Sequence, residues 1–426
     1  MKKIILLLVI LLVIITGCAS DELNPVLDED IVKEINFNAE KAGMVYKPAT
    51  VNEATGVLDR DYLNAIDNFG YDILNSVYNT KENINLSPIS AHMILSLTSH
   101  GASQNTKSQI KQALHIDHLS DDEIAKNNKM LYEHLYENNE TGKLLIANSI
   151  WKRESLDFKE QFIERGKQYY SELYNVDFSD DETAENMNKW VRYHTNDLIN
   201  PLLETDSSRV MVLMNALYFY DEWLEPFDED LTRKEIFNTG SSNETVDMMN
   251  QVYDSKSYYE GEKFYKTSLK VKDVGKASFI LPKDDVSIDE IINNKELYMK
   301  ALKAVHDKTS KIKFKLPKVD FSNKIDLKET LKSLGMIDAF NIDDADFSNM
   351  IDKSIFISNV QQMTHLTFDE KKVEAAAVTI VEMTEEAAPI EERILEFYFD
   401  KPFIYFIENN EGVVIFVGVI NNPNLE

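Results

Sequence analysis

The chain is poor in cysteine and in positive charge. Cys18 is its single cysteine among 426 residues, so an intramolecular disulfide framework is excluded in any compartment. Lys and Arg number 45 against 73 Asp and Glu, which gives a formal net charge of −28. Because non-specific nucleic-acid binding needs a positive surface, we expect no nucleic-acid partner. With 43% hydrophobic residues, the chain can nevertheless build a large core in one or two domains.

The sequence also lacks the motifs of common enzyme chemistry. It contains no G-x-S-x-G, H-E-x-x-H, P-loop or G-x-G-x-x-G pattern. The nearest approach to a metal-binding pattern is His115 with His118, which fits a surface turn better. We therefore expect no enzymatic activity, no cofactor and no metal site. This absence favours a binding or inhibitory role.

Residues 1–17 have the layout of a secretory signal. Lys2 and Lys3 precede an apolar run of about a dozen residues, which is too short to span a membrane. The run ends in Ile-Thr-Gly-Cys, which resembles the bacterial lipobox, where the cysteine is lipidated. We therefore predict a prokaryotic lipoprotein attached through Cys18, extracytoplasmic and membrane-anchored at the cell surface or released extracellularly. A plain signal peptide with an incidental cysteine is the alternative.

Residues 18–57 are acid-rich and show little periodicity, with Pro25 and Pro48 among them. This composition predicts a tether from the lipidated N-terminus, with an extension packed on the domain as the alternative. From residue 58 the pattern changes, with helical periodicity mostly early and strand-like runs mostly late. We interpret residues 58–426 as one α+β domain.

The segment from Lys371 to Arg393 is compatible with a helix or with a strand. Every second residue is uncharged: Val373, Ala375, Ala377, Thr379, Val381 and Met383. The charged residues Lys372, Glu374 and Glu382 have the opposite parity. As a strand, the segment could therefore bury one face in a sheet without burying charge. An ordinary surface helix ended near Pro389 is the plainer alternative.

Between residues 58 and 423, seven sequence segments carry a family resemblance; in chain order they are NINLSP, HGASQNTKSQI, LLIANSIW, VLMNALYFYDEW, FILPKDD, IKFKLPKVDF and IFVGVINNP. Together they resemble the serpins, a family of serine protease inhibitors. The resemblance implies an α+β fold with three β-sheets, about nine helices and an exposed reactive-centre loop at about residues 370–396. It also implies a suicide mechanism, in which a protease cleaves the loop, is held as an acyl-enzyme and is trapped as the loop inserts into the main sheet.

The resemblance assigns a hinge to the start of this loop, at Glu370, Lys372, Val373, Glu374, Ala375, Ala376, Ala377, Val378 and Thr379. The family usually has Gly followed by Thr or Ser where this chain has Lys372 and Val373. Val is stiffer than these residues, so the departure predicts slower insertion. The small residues Ala375 to Ala377 favour insertion, and thus a working inhibitor.

The resemblance also implies a polar cluster beneath the opening of the main sheet, formed by Ser87, Ser90, Asn215 and Gln362. The family usually carries a histidine where this chain has Gln362. Since glutamine forms hydrogen bonds but does not titrate, we expect no histidine-linked pH response there. Local helix capping is the alternative role of these residues.

Counting from Glu370 with the family's usual hinge length predicts cleavage between Glu386 and Ala387. The loop is longer than in common relatives, so Met383, Glu385 and Ala388 stay alternatives, although Pro389 disfavours the last. The expected partner is a serine protease, or a cysteine protease, with glutamyl or elastase-like specificity, acting on a monomer. The alternative is a non-inhibitory serpin that serves as a surface binding module.

Overall fold

The computed structural model describes residues 37–46, 50–139, 141–371 and 394–425, which all belong to one compact unit. Within these ranges there are nine α-helices: α1 (Arg60–Val77), α2 (Pro88–Gly101), α3 (Gln104–Ala113), α4 (Asp121–Leu135), α5 (Glu160–Gln168), α6 (Asp181–His194), α7 (Ile288–Ile292), α8 (Lys295–Lys303) and α9 (Lys328–Ser333). None of the helices described there is long and apolar enough to span a bilayer.

The strands are β1 (Ile84–Leu86), β2 (Glu137–Asn138), β3 (Gly142–Arg153), β4 (Glu172–Val176), β5 (Met211–Asp221), β6 (Arg233–Asn238), β7 (Asn243–Glu260), β8 (Phe264–Lys270), β9 (Gly275–Pro282), β10 (Lys308–Pro317), β11 (Val319–Asp326), β12 (Asn359–Phe368), β13 (Leu395–Tyr398), β14 (Phe403–Asn409) and β15 (Val414–Ile420). A six-stranded sheet has the order β11-β12-β5-β3-β2, and β4 also pairs with β3. A nine-stranded sheet has the order β1-β15-β14-β9-β8-β7-β10-β13, and β6 also pairs with β7.

The nine-stranded sheet consists of two lobes that share the long strand β7. Residues 243–258 of β7 pair with β6 and β10, whereas residues 258–260 pair with β8. The two lobes and the six-stranded sheet correspond to the three sheets that the sequence resemblance implies. The predicted α+β serpin fold is thus confirmed, with hydrogen bonding that runs continuously from one of the smaller sheets into the other.

Helix α2 is buried along its whole length between the two sheets. Its small polar side chains are satisfied inside the helix, because Thr98 donates to the carbonyl of Ile94 at 2.8 Å and Ser99 to that of Ser96 at 2.7 Å. Pro88 is well suited to the first helical turn, and the Ser87 side chain caps the helix by accepting from the Ser90 backbone N–H. The N-terminus of α2 therefore presents Ser87 and Ser90 to the neighbouring sheet.

Two hydrophobic clusters stabilise the fold. The larger one fills the space between the helices and both sheets. The smaller one joins α6 to the six-stranded sheet and includes Trp151 on β3, Tyr174 on β4, Trp190 on α6, Met214 on β5 and Met363 on β12. Helix α6 therefore covers the face of the sheet on which β5 and β12 are neighbours.

Residues 37–46 and 50–57 lie in the folded unit. Met44 forms a β-bridge with Tyr174 of β4, and the Asn52 amide donates to Glu133 at 3.2 Å and to the Tyr170 hydroxyl at 3.1 Å. These contacts correspond to the alternative of an extension packed on the domain, and the predicted boundaries stay a prediction. The signal peptide and the lipidated residue lie outside the described ranges.

Candidate strand-insertion site

The six-stranded sheet contains one short parallel junction. Strands β12 and β5 pair in parallel at five positions, from Asn359↔Val212 to Met363↔Ala216. Beyond them, residues 364–368 continue to pair with β11 and residues 217–221 with β3, but the two segments do not pair with each other. The two halves of the sheet are therefore joined at one end of the junction and lack mutual pairing at the other.

This unpaired end is the end at which the candidate loop begins. The chain leaves β12 at Phe368, so a strand formed directly after a reversal would run antiparallel to β12. It would also run antiparallel to β5, because β5 and β12 are parallel. Such a strand would replace one parallel pairing with two antiparallel pairings, which are slightly more stable per residue. The topology is thus suited to accept an additional strand at this junction.

Glu370 fixes the start of the loop. Its backbone carbonyl accepts from the Phe227 N–H at 2.9 Å, and its carboxylate accepts from the Thr232 hydroxyl at 2.7 Å and the Lys318 ammonium at 2.6 Å. Next to it, the Trp223 indole donates to the Asp369 carbonyl at 2.9 Å. Glu370 is therefore tied to two segments outside β12.

Electrostatics reinforce this attachment. Burial by itself would raise the pKa of the Glu370 carboxyl, but the hydrogen bonds from Lys318 and Thr232 and the charge of Lys318 hold that pKa below its usual range. The carboxylate therefore stays ionised at neutral pH and keeps its bond to Lys318. Charge-assisted bonds of this kind are stronger than neutral ones.

The four polar residues predicted beneath the main sheet lie together, and all are buried. Gln362 of β12 accepts from the Ser87 N–H at 2.9 Å and donates to the Ser87 carbonyl at 2.8 Å. Ser90 donates to the Asn215 side-chain oxygen at 2.5 Å. Since Gln362 and Asn215 are register partners across the parallel junction, this cluster links both strands of the junction to the N-terminus of α2.

Sequence reasoning missed a fifth member of this cluster. Asn148 on β3 accepts a hydrogen bond at 2.8 Å from Asn215, and it is buried. It lies within the apolar run LLIANSIW, where an asparagine in a buried strand needs a partner. That isolated amide was the available signal. Lys318 was also missed, since its pairing with Glu370 joins residues that are distant in sequence.

The other predicted site residues lie outside the described ranges. These are Cys18 and, in the loop, Lys372, Val373, Glu374, Ala375, Ala376, Ala377, Val378, Thr379, Met383, Glu385, Glu386, Ala387 and Ala388. Of the two histidines considered for a metal, His115 instead contacts the Asp72 carboxylate at 2.7 Å. Over the ranges that the structure covers, no three His, Cys, Asp or Glu side chains converge as a metal site would require.

Comparison with known proteins agrees with this architecture. The family model described as serpin (serine protease inhibitor) matches residues 64–423. A serpin-like protein of Methanosarcina acetivorans is 30% identical over 87% of this chain and 88% of its own length, and human serpin B8 is 31% identical over 80% and 93%. The crystal structure of tengpin, a thermophilic serpin, in the native state superposes with a TM-score of 0.77 at 30% identity, covering 88% of this chain and 97% of tengpin.

The chain therefore belongs to the serpin family, as its sequence blocks predicted. Serpins are in general protease inhibitors rather than enzymes. The family match begins at residue 64, so the packed residues 37–46 lie outside the part of the chain that the family model describes.

Proposed function

We propose that this protein is a suicide inhibitor that traps a serine protease by inserting its cleaved loop into the six-stranded sheet. The observation that carries the proposal is the β5–β12 junction, which is paired at five positions only and opens where the chain leaves β12. An inserted strand would complete the pairing of both β5 and β12. Family membership supports the same mechanism.

The chemistry requires one covalent step. The serine oxygen of the protease attacks the carbonyl carbon of the reactive peptide bond. An ester forms, and the amine of the following residue leaves with the serine proton. The loop, now free at its new C-terminus, enters the sheet and carries the attached protease with it. Hydrolysis of the ester is prevented because the protease's own site is distorted. Each inhibitor molecule is therefore used once.

The hydrogen bonds of the sheet supply the driving force. If insertion adds about ten net hydrogen bonds, each worth about 1 kcal/mol, the inserted form gains on the order of 10 kcal/mol. The parity of the loop permits this, since Val373, Ala375 and Ala377 can face the interior while Lys372 and Glu374 face solvent. The polar cluster around Gln362 supplies groups that can exchange partners when the junction opens.

We propose Glu386–Ala387 as the reactive bond, which implies a glutamyl-specific serine protease as the partner of a monomeric inhibitor. A cut one residue later, after Ala387, would instead imply an elastase-like protease. A cysteine protease, which would form a thioester at the same carbonyl, is a second class of target. The sequence alternatives at Met383, Glu385 and Ala388 are decided by the same experiment. N-terminal sequencing of the small released fragment should begin at Ala387, and any other start would reject this bond.

The proposed function is tested by incubating the protein with a glutamyl endopeptidase and, separately, with an elastase. A covalent band that resists boiling in detergent is expected on a denaturing gel. The control is the same protease with its active serine blocked, which should give no band. Cleavage without a band at any ratio of protein to protease would contradict the proposal.

Two residues favour a second candidate function, a non-inhibitory surface binding module. Lys372 and Val373 stand where the family usually has Gly and Thr or Ser, and both slow insertion if they resist the required backbone change. Lys372→Gly with Val373→Thr separates the two functions. Under the inhibitory proposal, this double variant should give at least as much covalent band as the unchanged protein. If neither protein forms a band, the binding module is favoured.

We also propose that the protein is a lipoprotein anchored through Cys18 on the outer side of a prokaryotic membrane. The support is the lipobox-like sequence before Cys18 and the apolar run that precedes it. Growth with an alkyne-labelled fatty acid should label the unchanged protein and not Cys18→Ala. Equal labelling of the two proteins would reject the anchor.

A further inference from the structure

Residues 37–46 pack along β4 at the margin of the six-stranded sheet; we call this segment the strap. Its backbone bonds directly to β4, because Val45 N–H donates to the Leu173 carbonyl at 2.8 Å and Asn175 N–H donates to the Gly43 carbonyl at 2.9 Å. On its other side β4 pairs with β3. The strap therefore covers the free edge of β4, which would otherwise expose unpaired backbone groups.

The strap also contacts α6. The ring of Phe37 lies 6.4 Å from that of Tyr174 on β4 and 6.0 Å from that of Tyr193 on α6, measured between centroids. Ala42 is buried in the smaller hydrophobic cluster, and Met44 packs against that cluster. One short segment thus bridges a strand of the sheet and the helix that covers it.

Helix α6 and the segment that follows it lie across the junction at which insertion is proposed. Ile199 and Leu203, just after α6, share the smaller cluster with Met214 on β5 and Met363 on β12. Lys324 on β11 donates to the Pro201 carbonyl at 2.9 Å. The segment after α6 therefore also contacts β11, on the side of β12 away from β5. A strand that enters between β5 and β12 must widen their spacing by about 4.8 Å. This widening disrupts the contacts that α6 and the segment after it make with β5, with β12 and with β11.

We propose that the strap restrains the opening of the β5–β12 junction by holding α6 against β4. Release of the strap lowers the cost of lifting α6, and the junction opens more often. The strap thereby regulates how readily the sheet accepts the loop. The effect of the strap on inhibition rests on the proposed function, whereas the restraint of the junction by the strap does not.

Gly43 offers a sharp test. It has a φ of +89°, and a Cβ added there would lie 2.1 Å from the carbonyl oxygen of Asn175, so Gly43→Ala prevents the strap from seating on β4. The matched control is Gly240→Ala, since Gly240 has a φ of +85° and no atom of the described residues lies within 4 Å of an added Cβ. Both variants carry the same intrinsic backbone penalty, but only one has the clash. Phe37→Ala is a second variant that leaves the backbone of β4 unperturbed.

The measurement is native-state hydrogen exchange on the full chain. We expect Gly43→Ala and Phe37→Ala to raise exchange about tenfold in α6 and in the paired residues 212–216 and 359–363, whereas Gly240→Ala leaves these regions unchanged. A rise confined to residues 37–46 and β4, or no rise in either variant, would overturn the restraint. If Gly43→Ala fails to fold, Phe37→Ala alone decides.

Activity is read separately. After incubation at a raised temperature, the strap variants should lose their capacity to form the covalent protease band about tenfold faster than Gly240→Ala, because a junction that opens more often admits the uncut loop. Equal rates of loss in all proteins would remove the regulatory role. If even the unchanged protein forms no band, the proposed function fails, and hydrogen exchange still decides whether the strap restrains the sheet.

Discussion

The two sheets of this protein differ in how their central strands are held. In the nine-stranded sheet, β14 lies between β9 and β15 with antiparallel pairing along both edges, and every residue of β14 and β15 is buried. In the six-stranded sheet, the central pair β5–β12 is parallel, is paired at five positions and rests on buried amides and hydroxyls. Among the described residues, the centre of the nine-stranded sheet is paired on both sides, whereas the six-stranded sheet has unpaired strand edges at its centre.

This difference teaches where the fold can change. Any displacement within an apolar core lowers the stability of the protein, because buried side chains fit closely and voids are costly. Hydrogen bonds among Ser87, Ser90, Asn215 and Gln362 can instead be exchanged for others of similar strength. A sheet whose central junction is polar and short can therefore open while the apolar sheet stays intact.

The largest expected effect follows cleavage of the loop, which should stabilise the six-stranded sheet and leave the nine-stranded sheet unchanged. A limited cut near Glu386 should raise the unfolding temperature by about 10 °C or more, because the inserted strand adds hydrogen bonds to the six-stranded sheet only. Differential scanning calorimetry of intact and cleaved protein measures this change. Hydrogen exchange should show new protection in β5 and β12 and little change in β14 and β15. An unchanged unfolding temperature would contradict the difference that we draw between the sheets.

The apolar sheet should respond equally in both states. Ile404 on β14 is fully buried and lies opposite Val419 of β15 and Ile280 of β9. Ile404→Ala should lower the free energy of unfolding by about 3 kcal/mol through lost burial and the remaining cavity. Denaturant unfolding should give this loss in the intact and in the cleaved protein alike. A much smaller loss after cleavage would mean that the nine-stranded sheet also rearranges.

The polar junction should respond unequally. Gln362→Ala removes two hydrogen bonds to the backbone of Ser87 and leaves that buried N–H without its partner, so we expect the intact form to lose about 2 kcal/mol. Cleaved protein should lose less, because insertion provides new partners.

The matched control is the neighbouring Gln361→Ala. The side-chain oxygen of Gln361 is buried and has no hydrogen-bond partner among the described residues, so its removal should change stability by less than about 0.5 kcal/mol. Equal losses for the two variants would show that the cluster at Gln362 has no special role. A further variant, Gln362→His, should introduce a loss of intact-state stability below about pH 6.5, since a buried histidine is neutral in the folded state and binds a proton more readily when unfolded.

The smallest expected effect concerns the start of the loop. Glu370→Gln should destabilise the intact protein by about 1 kcal/mol at pH 7 by removing the ion pair with Lys318. Because the pKa of Glu370 is lowered in the folded state, its stabilisation is present above the unfolded pKa and is lost as the pH falls through the folded one. The difference between variant and unchanged protein should therefore begin to shrink as the pH falls below about 4.3, the ordinary pKa of Glu, and should disappear once the pH is below the lowered pKa of the folded state.

Thermal unfolding across pH measures this effect. The control is Glu229→Gln, because Glu229 pairs with Lys371 at 2.7 Å but both side chains are more than half exposed. Such surface pairs contribute little, so this variant should match the unchanged protein at every pH. A difference between Glu370→Gln and the unchanged protein that persists in acid would assign the effect to packing instead of charge.

Much of this fold was predictable from the sequence. The ordered blocks predicted the serpin architecture, which the family match over residues 64–423 bears out. The four polar residues of the junction could be named, because the resemblance to the serpins assigns a polar cluster to their positions. Their geometry could not be derived, since it depends on the register between β5 and β12.

Other features could not be predicted from the sequence, because they also depend on contacts that form only in the folded chain. The strap has almost no periodicity, and its conformation depends on its contacts with β4 and α6 rather than on its own propensity. The ion pair of Glu370 and Lys318 joins two loops that meet only in the folded chain. The shared strand β7 likewise depends on tertiary pairing at its far end, which no local pattern encodes.

Strand β13 has a consequence for timing. It follows the loop and pairs in parallel with β10, and the ring of Phe397 lies 5.8 Å from Tyr258 and 5.5 Å from Tyr265. The loop is thus fastened at one end to the six-stranded sheet and at the other to an aromatic site on the other sheet. Under the proposed function, the uncut chain is held far from equilibrium, and the protease that breaks one peptide bond supplies the only fast release. The capacity to inhibit is then set by the number of molecules that have not yet inserted their loop, and the hold on Phe397 acts together with the strap to set how long they stay in that form.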